Sequence, residues 1–229
     1  MRSQAEQRFL AHAIASGVRI DDRAPDAFRS VVRERSGTLC GVDASSSCQI
    51  GEAQVLCFTR ALDTQKQEEE PNEAEAEVEA THTKIQYIPT SLAPHNRERL
   101  AYCQSIVSML SRNTVLPKSV VLYLSLLAYG PSYCTAASIA VADCLRQLDG
   151  TFAPLIFVGA WKLGGRWICD ASLVEEESAE ASVLALLDRE GQVQDISKHG
   201  SCPITVADLD AALEICRAAA QALYTSLYV

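Results

Sequence analysis

The chain has 229 residues, 48% of them hydrophobic, and a formal net charge of −9. That size and composition fit one soluble domain that buries roughly two-thirds of its unfolded surface. No apolar run reaches the ~20 residues of a membrane-spanning helix, the start lacks the apolar core of a secretory signal, and the acidic balance argues against a freestanding nucleic-acid binder.

Ser3 and Glu6 form a capping box, and Phe9, Leu10, Ala13 and Ile14 then line one face of a helix that Gly17 stops. Residues 1–18 therefore read as an N-terminal helix and 19–229 as one domain. The segment Arg19-Ile20-Asp21-Asp22-Arg23 leads, through Pro25, to Arg29. Three strands follow at 33–41, 44–50 and 54–62, punctuated by Asp43 and by Ile50-Gly51-Glu52.

Residues 63–84 hold eight acids and two lysines, so this tract carries −6 and the rest of the chain only −3. With no apolar periodicity, it reads as a disordered, solvated insertion. A short strand at 84–88 follows it. From Pro94 a helix places Leu100, Cys103, Val107 and Leu110 on one face and ends near Asn113.

Residues 120–128 form a nearly continuous apolar run, as for a strand buried on both faces. The turn Tyr129-Gly130-Pro131-Ser132 opens a helix rich in small residues that runs from Tyr133 to about Leu148. Strands at 155–161 and 166–170 make a hairpin through Leu163-Gly164-Gly165. A second pair at 183–187 and 192–196 is joined by Asp188-Arg189-Glu190-Gly191. A Thr205–Asp208 box opens the last helix, with Leu209, Leu213, Cys216, Ala220 and Leu223 on one stripe. The order predicts an α+β sandwich.

The nine cysteines (Cys40, Cys48, Cys57, Cys103, Cys134, Cys144, Cys169, Cys202 and Cys216) are odd in number, scattered, and contain no C-x2-C pair. They are expected to be reduced, buried thiols rather than zinc ligands or disulfides. His12, His82, His95 and His199 form no ligand-spaced set, so no metal is expected.

The chemistry concentrates at Cys169-Asp170-Ala171-Ser172-Leu173-Val174-Glu175-Glu176. An apolar strand delivers Asp170, and Glu176 follows six residues later. Paired carboxylates at a strand end suit a divalent cation or acid–base work on a phosphate ester, although an acidic turn after a strand is also a common solvated surface.

These segments, in this order, resemble the RNase PH family, which includes tRNA-trimming phosphorolytic exoribonucleases, polynucleotide phosphorylase and the six ring subunits of the RNA exosome. The family's C-D-x4-E-D segment resembles 169–176 here. Its R-x-D-G-R-x5-R segment resembles 19–29, with Asp22 in place of glycine, and its strand meander resembles 42–57. The resemblance covers about 19–227 and implies an RNase PH-like sheet-and-helix sandwich of β-α-β type, with mixed sheets packed by helices.

An active member of that family cleaves RNA from its 3′ end with inorganic phosphate as nucleophile. It needs an anion pocket, carboxylates and basic residues that guide the backbone. The family's phosphate turn, D-G-G-T-R-T-A-A, aligns with 129–137. Here Tyr129 replaces the acid, Pro131 a glycine, and no arginine remains beside Gly130 and Ser132. A proline and a tyrosine supply neither the cation nor the amide nest. Asp170 matches the family's first acid, but Glu176 stands where Asp is usual, and one extra methylene displaces a carboxylate by about 1.5 Å.

The resemblance therefore implies a non-catalytic exosome ring subunit supporting 3′–5′ RNA processing and degradation. Asp170 and Glu176 would be remnants, and no cofactor or metal would be needed. Its partners would be other RNase PH-like ring subunits, RNA-binding cap subunits and RNA passing through the channel, with no membrane. It would reside in the nucleus, including the nucleolus, and in the cytoplasm. Arg97 and Arg99 are candidate RNA contacts, or else solvated charges or partners of a neighbouring subunit. The alternatives are an active phosphate-dependent exoribonuclease and an unrelated α+β interaction protein. The Trp pair near the hairpin and the end Tyr-Thr-Ser-Leu-Tyr-Val read as apolar surface left over for assembly.

Overall fold

The computed structural model describes residues 3–36, 42–61, 84–88, 97–114 and 120–228. Helix α1 (Gln4–Ala15) opens on the Ser3/Glu6 capping box, in which the Ser3 hydroxyl accepts from the Glu6 amide. Leu10 and Ile14 are buried, but Phe9 is 71% exposed, so the predicted apolar face is narrower than its sequence suggested.

The first sheet contains β1 (Val31–Ser36), β2 (Ala44–Ile50), β3 (Ala53–Ala61), β4 (Lys84–Ile88) and β5 (Val120–Ala128), in the order β1-β2-β3-β5-β4. All neighbours are antiparallel except β4, which runs parallel to β5. A parallel neighbour needs a crossover, and helix α2 (Arg97–Asn113) lies between the two in the chain. The first strand begins two residues before the predicted 33, and its expected end at 37–41 lies outside the described residues. So does most of the acidic tract, except Lys84, which is the first residue of β4.

Helix α3 (Tyr133–Leu148) follows β5. The second sheet, β7-β6-β8-β9, is antiparallel throughout, from β6 (Ile156–Leu163), β7 (Arg166–Cys169), β8 (Ala181–Leu187) and β9 (Val193–His199). A four-residue helix, α4 (Leu173–Glu176), stands where an acidic turn was predicted. Helix α5 (Val206–Tyr228) closes the chain, its start fixed by the reciprocal Thr205–Asp208 hydrogen bonds.

The layers follow from strand alternation. Cys48, Val55, Cys57, Leu122 and Leu124 point from the first sheet onto Cys103, Ile106 and Leu110 of α2 and Ala136, Ile139 and Ala140 of α3. Phe157, Leu184 and Leu186 meet the same core from the second sheet. On that sheet's far face Ile156, Val158, Val183 and Ala185 pack against Ala212, Cys216, Ala220 and Leu223 of α5. Ile14 of α1 reaches Trp161, Leu163 and Ile168 at the β6–β7 hairpin. Gly164 and Gly165 both have positive φ, 56° and 77°, as a two-residue hairpin turn of this hand requires. A Cβ at Gly164 would overlap the Ala11 carbonyl, so α1 can dock only because that position is glycine.

Trp161, Trp167 and Tyr224 are 3%, 6% and 2% exposed, and the Tyr224 hydroxyl lies 2.8 Å from both the Pro154 and the Leu187 carbonyl, either of which can accept its proton. The aromatic residues predicted to face partners fill this chain's own core instead. No helix among the described residues is long and apolar enough to cross a membrane.

All eight described cysteines are unpaired, and seven of them are buried. Burial pushes the Cys48, Cys134 and Cys169 thiols up to about 12. Native protein carrying Cys40→Ser should therefore react with Ellman's reagent at pH 8 at one thiol, the half-buried Cys202. Fast reaction of two or more thiols would show a looser interior.

Candidate functional site

The end of β7, the turn before α3 and the segment after α1 converge on Asp170. Two left-handed residues shape the approach. Asp22 has φ 56° and Asp170 has φ 44°, a region that aspartate tolerates better than most residues. Asp22 thus holds a left-handed backbone at the position where the resembled motif has glycine.

Asp170 is fully buried, and its carboxylate accepts five hydrogen bonds. Oδ2 receives Arg23 Nη1 at 2.6 Å, the Arg29 amide at 2.7 Å and Arg29 Nε at 2.9 Å. Oδ1 receives Arg29 Nη2 at 2.7 Å and the Ser132 hydroxyl. Its carbonyl accepts from Arg23 Nη2 at 2.9 Å and Arg19 Nη2 at 3.0 Å.

Glu175, one residue before the predicted second acid, is the second buried carboxylate of this cluster. Arg19 grips it as a fork, with Nη2 at 2.8 Å and Nε at 3.1 Å, while its own Nη1 donates to the Cys169 carbonyl at 3.0 Å. Ser172 and Glu175 also form the capping box that creates α4. Glu176 points elsewhere and stays half-buried, with the Tyr129 hydroxyl 3.4 Å from both its oxygens.

Charge balance follows directly. Arg19, Arg23 and Arg29 face Asp170, Glu175 and Asp21, whose carboxylate lies 2.7 Å from Arg23. Burial opposes ionisation of Asp21, but the hydrogen bond and charge of Arg23 outweigh it and hold that carboxyl below its usual range. Three cations against three carboxylates leave no excess positive charge for a phosphate.

The predicted phosphate turn is closed as well. Gly130, Pro131 and Ser132 are buried, as are Tyr133, Cys134 and Thr135 of the first turn of α3. A Cβ at Gly130 would lie 2.7 Å from the Ala53 amide nitrogen, so the glycine admits the β2–β3 turn rather than a ligand. Tyr129 stacks on Tyr133 with centroids 6.1 Å apart. Ser132, at the N-cap, directs its hydroxyl to Asp170 and not to the helix amides.

The structure thus brings Asp170 and Ser132 together and sets Tyr129 against Glu176. Arg97 and Arg99 lie in the first turn of α2, with side chains outside the described residues. Among the described residues no group of three His, Cys, Asp or Glu could hold a metal ion. Sequence reasoning missed Arg19, Arg23, Arg29 and Glu175 as one cluster. The Ser172-x-x-Glu175 spacing was the available signal for α4.

No family model matches the chain, and no curated protein matches it. Its fold does match solved structures. It superposes at a TM-score of 0.70 on an archaeal exosome core subunit, with 14% identity over 97% of this chain and 96% of that one. The same score and identity hold for a chain of the Archaeoglobus fulgidus exosome with RNA bound to the active site, covering 97% of each. Rice (Oryza sativa) Rrp46 also gives 0.70, at 16% identity over 91% of this chain and 98% of that one. This is the RNase PH-like fold. The α+β sandwich expected from the element order, and the RNase PH-like form that the resemblance implied, are present, with the first sheet mixed and the second antiparallel.

Proposed function

We propose that this chain is a structural, non-catalytic ring subunit of an exosome-type complex that supports 3′–5′ RNA processing and degradation. The observation that carries the reading is the Asp170 carboxylate, which has five donors from its own chain and no exposed surface. A carboxylate so saturated has no lone pair free to ligate a metal or move a proton. The buried turn at 130–132 adds to this, because phosphate would have to displace Pro131 and the packed α3 terminus. Fold-level likeness to exosome core subunits supports the setting.

In this reading, partners are other RNase PH-like ring subunits and RNA-binding caps, RNA passes through the assembled channel, and the complex works in the nucleus, nucleolus and cytoplasm. Arg97 and Arg99, opening α2, remain the candidates for RNA contact.

The purified chain, supplied with single-stranded RNA and inorganic phosphate, should release no nucleoside diphosphates. Release that disappears on Glu176→Gln would overturn the non-catalytic reading, since Glu176 lies outside the saturated cluster and its amide preserves the fold.

A further inference from the structure

Surplus positive charge, absent around Asp170, gathers where β1, α3 and the end of α5 meet. Arg33 and Arg35 point to one side of β1, and both donate to the buried Asp143 carboxylate on α3. Arg146, in the last turn of α3, lies over the Tyr228 ring at 5.2 Å, and Arg33 lies 5.3 Å from the same ring. Among the described residues these arginines pair with no carboxylate but Asp143, and Arg146 pairs with none. Three guanidiniums against one carboxylate leave two positive charges over. The carbonyl ends of α3 and α5 each offset about half a charge, so roughly one remains. The Tyr228 hydroxyl is buried beside these cations and has no hydrogen-bond partner among the described residues.

We propose that Arg33, Arg35, Arg146 and Tyr228 form a binding site for the phosphoryl group of a small molecule. The site is separate from the closed turn at 130–132 and stands whether or not the chain sits in a ring. Surplus charge calls for an anion, and unspent donors call for several acceptor oxygens. Each guanidinium carries five N–H groups, of which Asp143 and the Leu227 carbonyl take only a few. Guanidinium forks arriving from a strand and a helix, with a phenol between them, surround a tetrahedral oxyanion better than a planar carboxylate. A small ligand fits better than a polynucleotide. Only Arg35, 46% exposed, is widely open, whereas Arg33 is 24% exposed and Arg146 half-buried. A strand of RNA needs a row of open cations along its backbone. Arg35 and Arg146 must swing outward to bare the hydroxyl, a rotamer change that side chains partly in water make readily.

Calorimetric titration of the full chain with inorganic phosphate should show one site with a Kd of about 1 mM. Uridine 5′-monophosphate distinguishes the source of the group. A similar Kd assigns the free ion, and binding about tenfold tighter assigns a nucleotide. Phosphate at about twenty times its Kd should raise Tm by roughly 4 °C, and acetate at equal ionic strength should not. Arg146→Gln should weaken phosphate binding about tenfold, the worth of one charge-assisted pair. Tyr228→Phe should weaken it about threefold yet leave the phosphate-free Tm unchanged, because the hydroxyl has no partner to lose. Arg8→Gln, exposed on α1 at the hairpin end of β6, should change neither. The absence of phosphate binding, or an equal response to acetate, would overturn the site. Binding undiminished in Arg146→Gln would place the phosphate elsewhere and overturn it too. RNA binding that Arg146→Gln abolishes, without any binding of phosphate or the nucleotide, would replace the small molecule with a polynucleotide, and the proposal would fall.

Discussion

Asp170→Ala is expected to cost about 3–5 kcal/mol, the usual penalty for removing one member of a buried charge cluster. In a chain of this length that corresponds to a fall in Tm of roughly 6–20 °C. The cost comes from what remains. Arg23 and Arg29 are only 15% and 21% exposed and would keep their charges with no carboxylate to accept them. Ser132 would lose its acceptor as well. Asp170→Asn, which tolerates the left-handed backbone, should still lose much of this, because its amide group presents donors to donors. Urea denaturation followed by circular dichroism measures the loss. If Asp170→Ala cost less than about 1 kcal/mol, the residue would not be a structural counter-ion, and its strained φ would point back to a retained chemical role.

Asp143→Ala should cost less, about 1–3 kcal/mol, although this acid is equally buried. It sits on α3 and receives Arg35 Nη2 at 2.7 Å and Arg33 Nη1 at 3.2 Å, tying β1 to the helix layer. Those arginines are 46% and 24% exposed and can turn toward water when their acceptor goes. Arg33 also donates to the Leu227 carbonyl and lies 5.3 Å from the Tyr228 ring, with Arg146 also over that ring at 5.2 Å. The damage should therefore concentrate at the end of α5, read as faster amide exchange at 224–228. A larger loss for Asp143→Ala than for Asp170→Ala would contradict the claim that arginine exposure sets the cost.

Elements whose stability is written in local pattern were legible in the sequence. Residues 44–50 and 120–128 alternate or run apolar between turn residues, and β2 and β5 begin and end where predicted. Helix α3 was readable from its small residues, because Thr135, Ala136, Ala137 and Ala140 are all buried where it lies between two sheets. β9 was read three residues short, since Ser197, Lys198 and His199 carry no apolar signal and are strand only through pairing with β8. The cluster around Asp170 was legible as residues but not as an arrangement. Arg19 and Glu175 are 156 positions apart, and no local pattern reports a partner at that distance. Phe9 looked like core because helical periodicity fixes a face, not what covers it.

The same separation has a consequence in time. Asp170 and Glu175 emerge from the ribosome about 150 residues after Arg19, Arg23 and Arg29, whose charges they accept. At synthesis rates of 5–20 residues per second, the arginine segment waits on the order of 8–30 s for its counter-ions. Helix α1 waits with it, because its docking partner is the β6–β7 hairpin. Both segments thus gain these contacts only once the β6–β7 hairpin and the turn after it have been made. During that interval Phe9, Leu10 and Ile14 stay available to whatever binds nascent apolar helices.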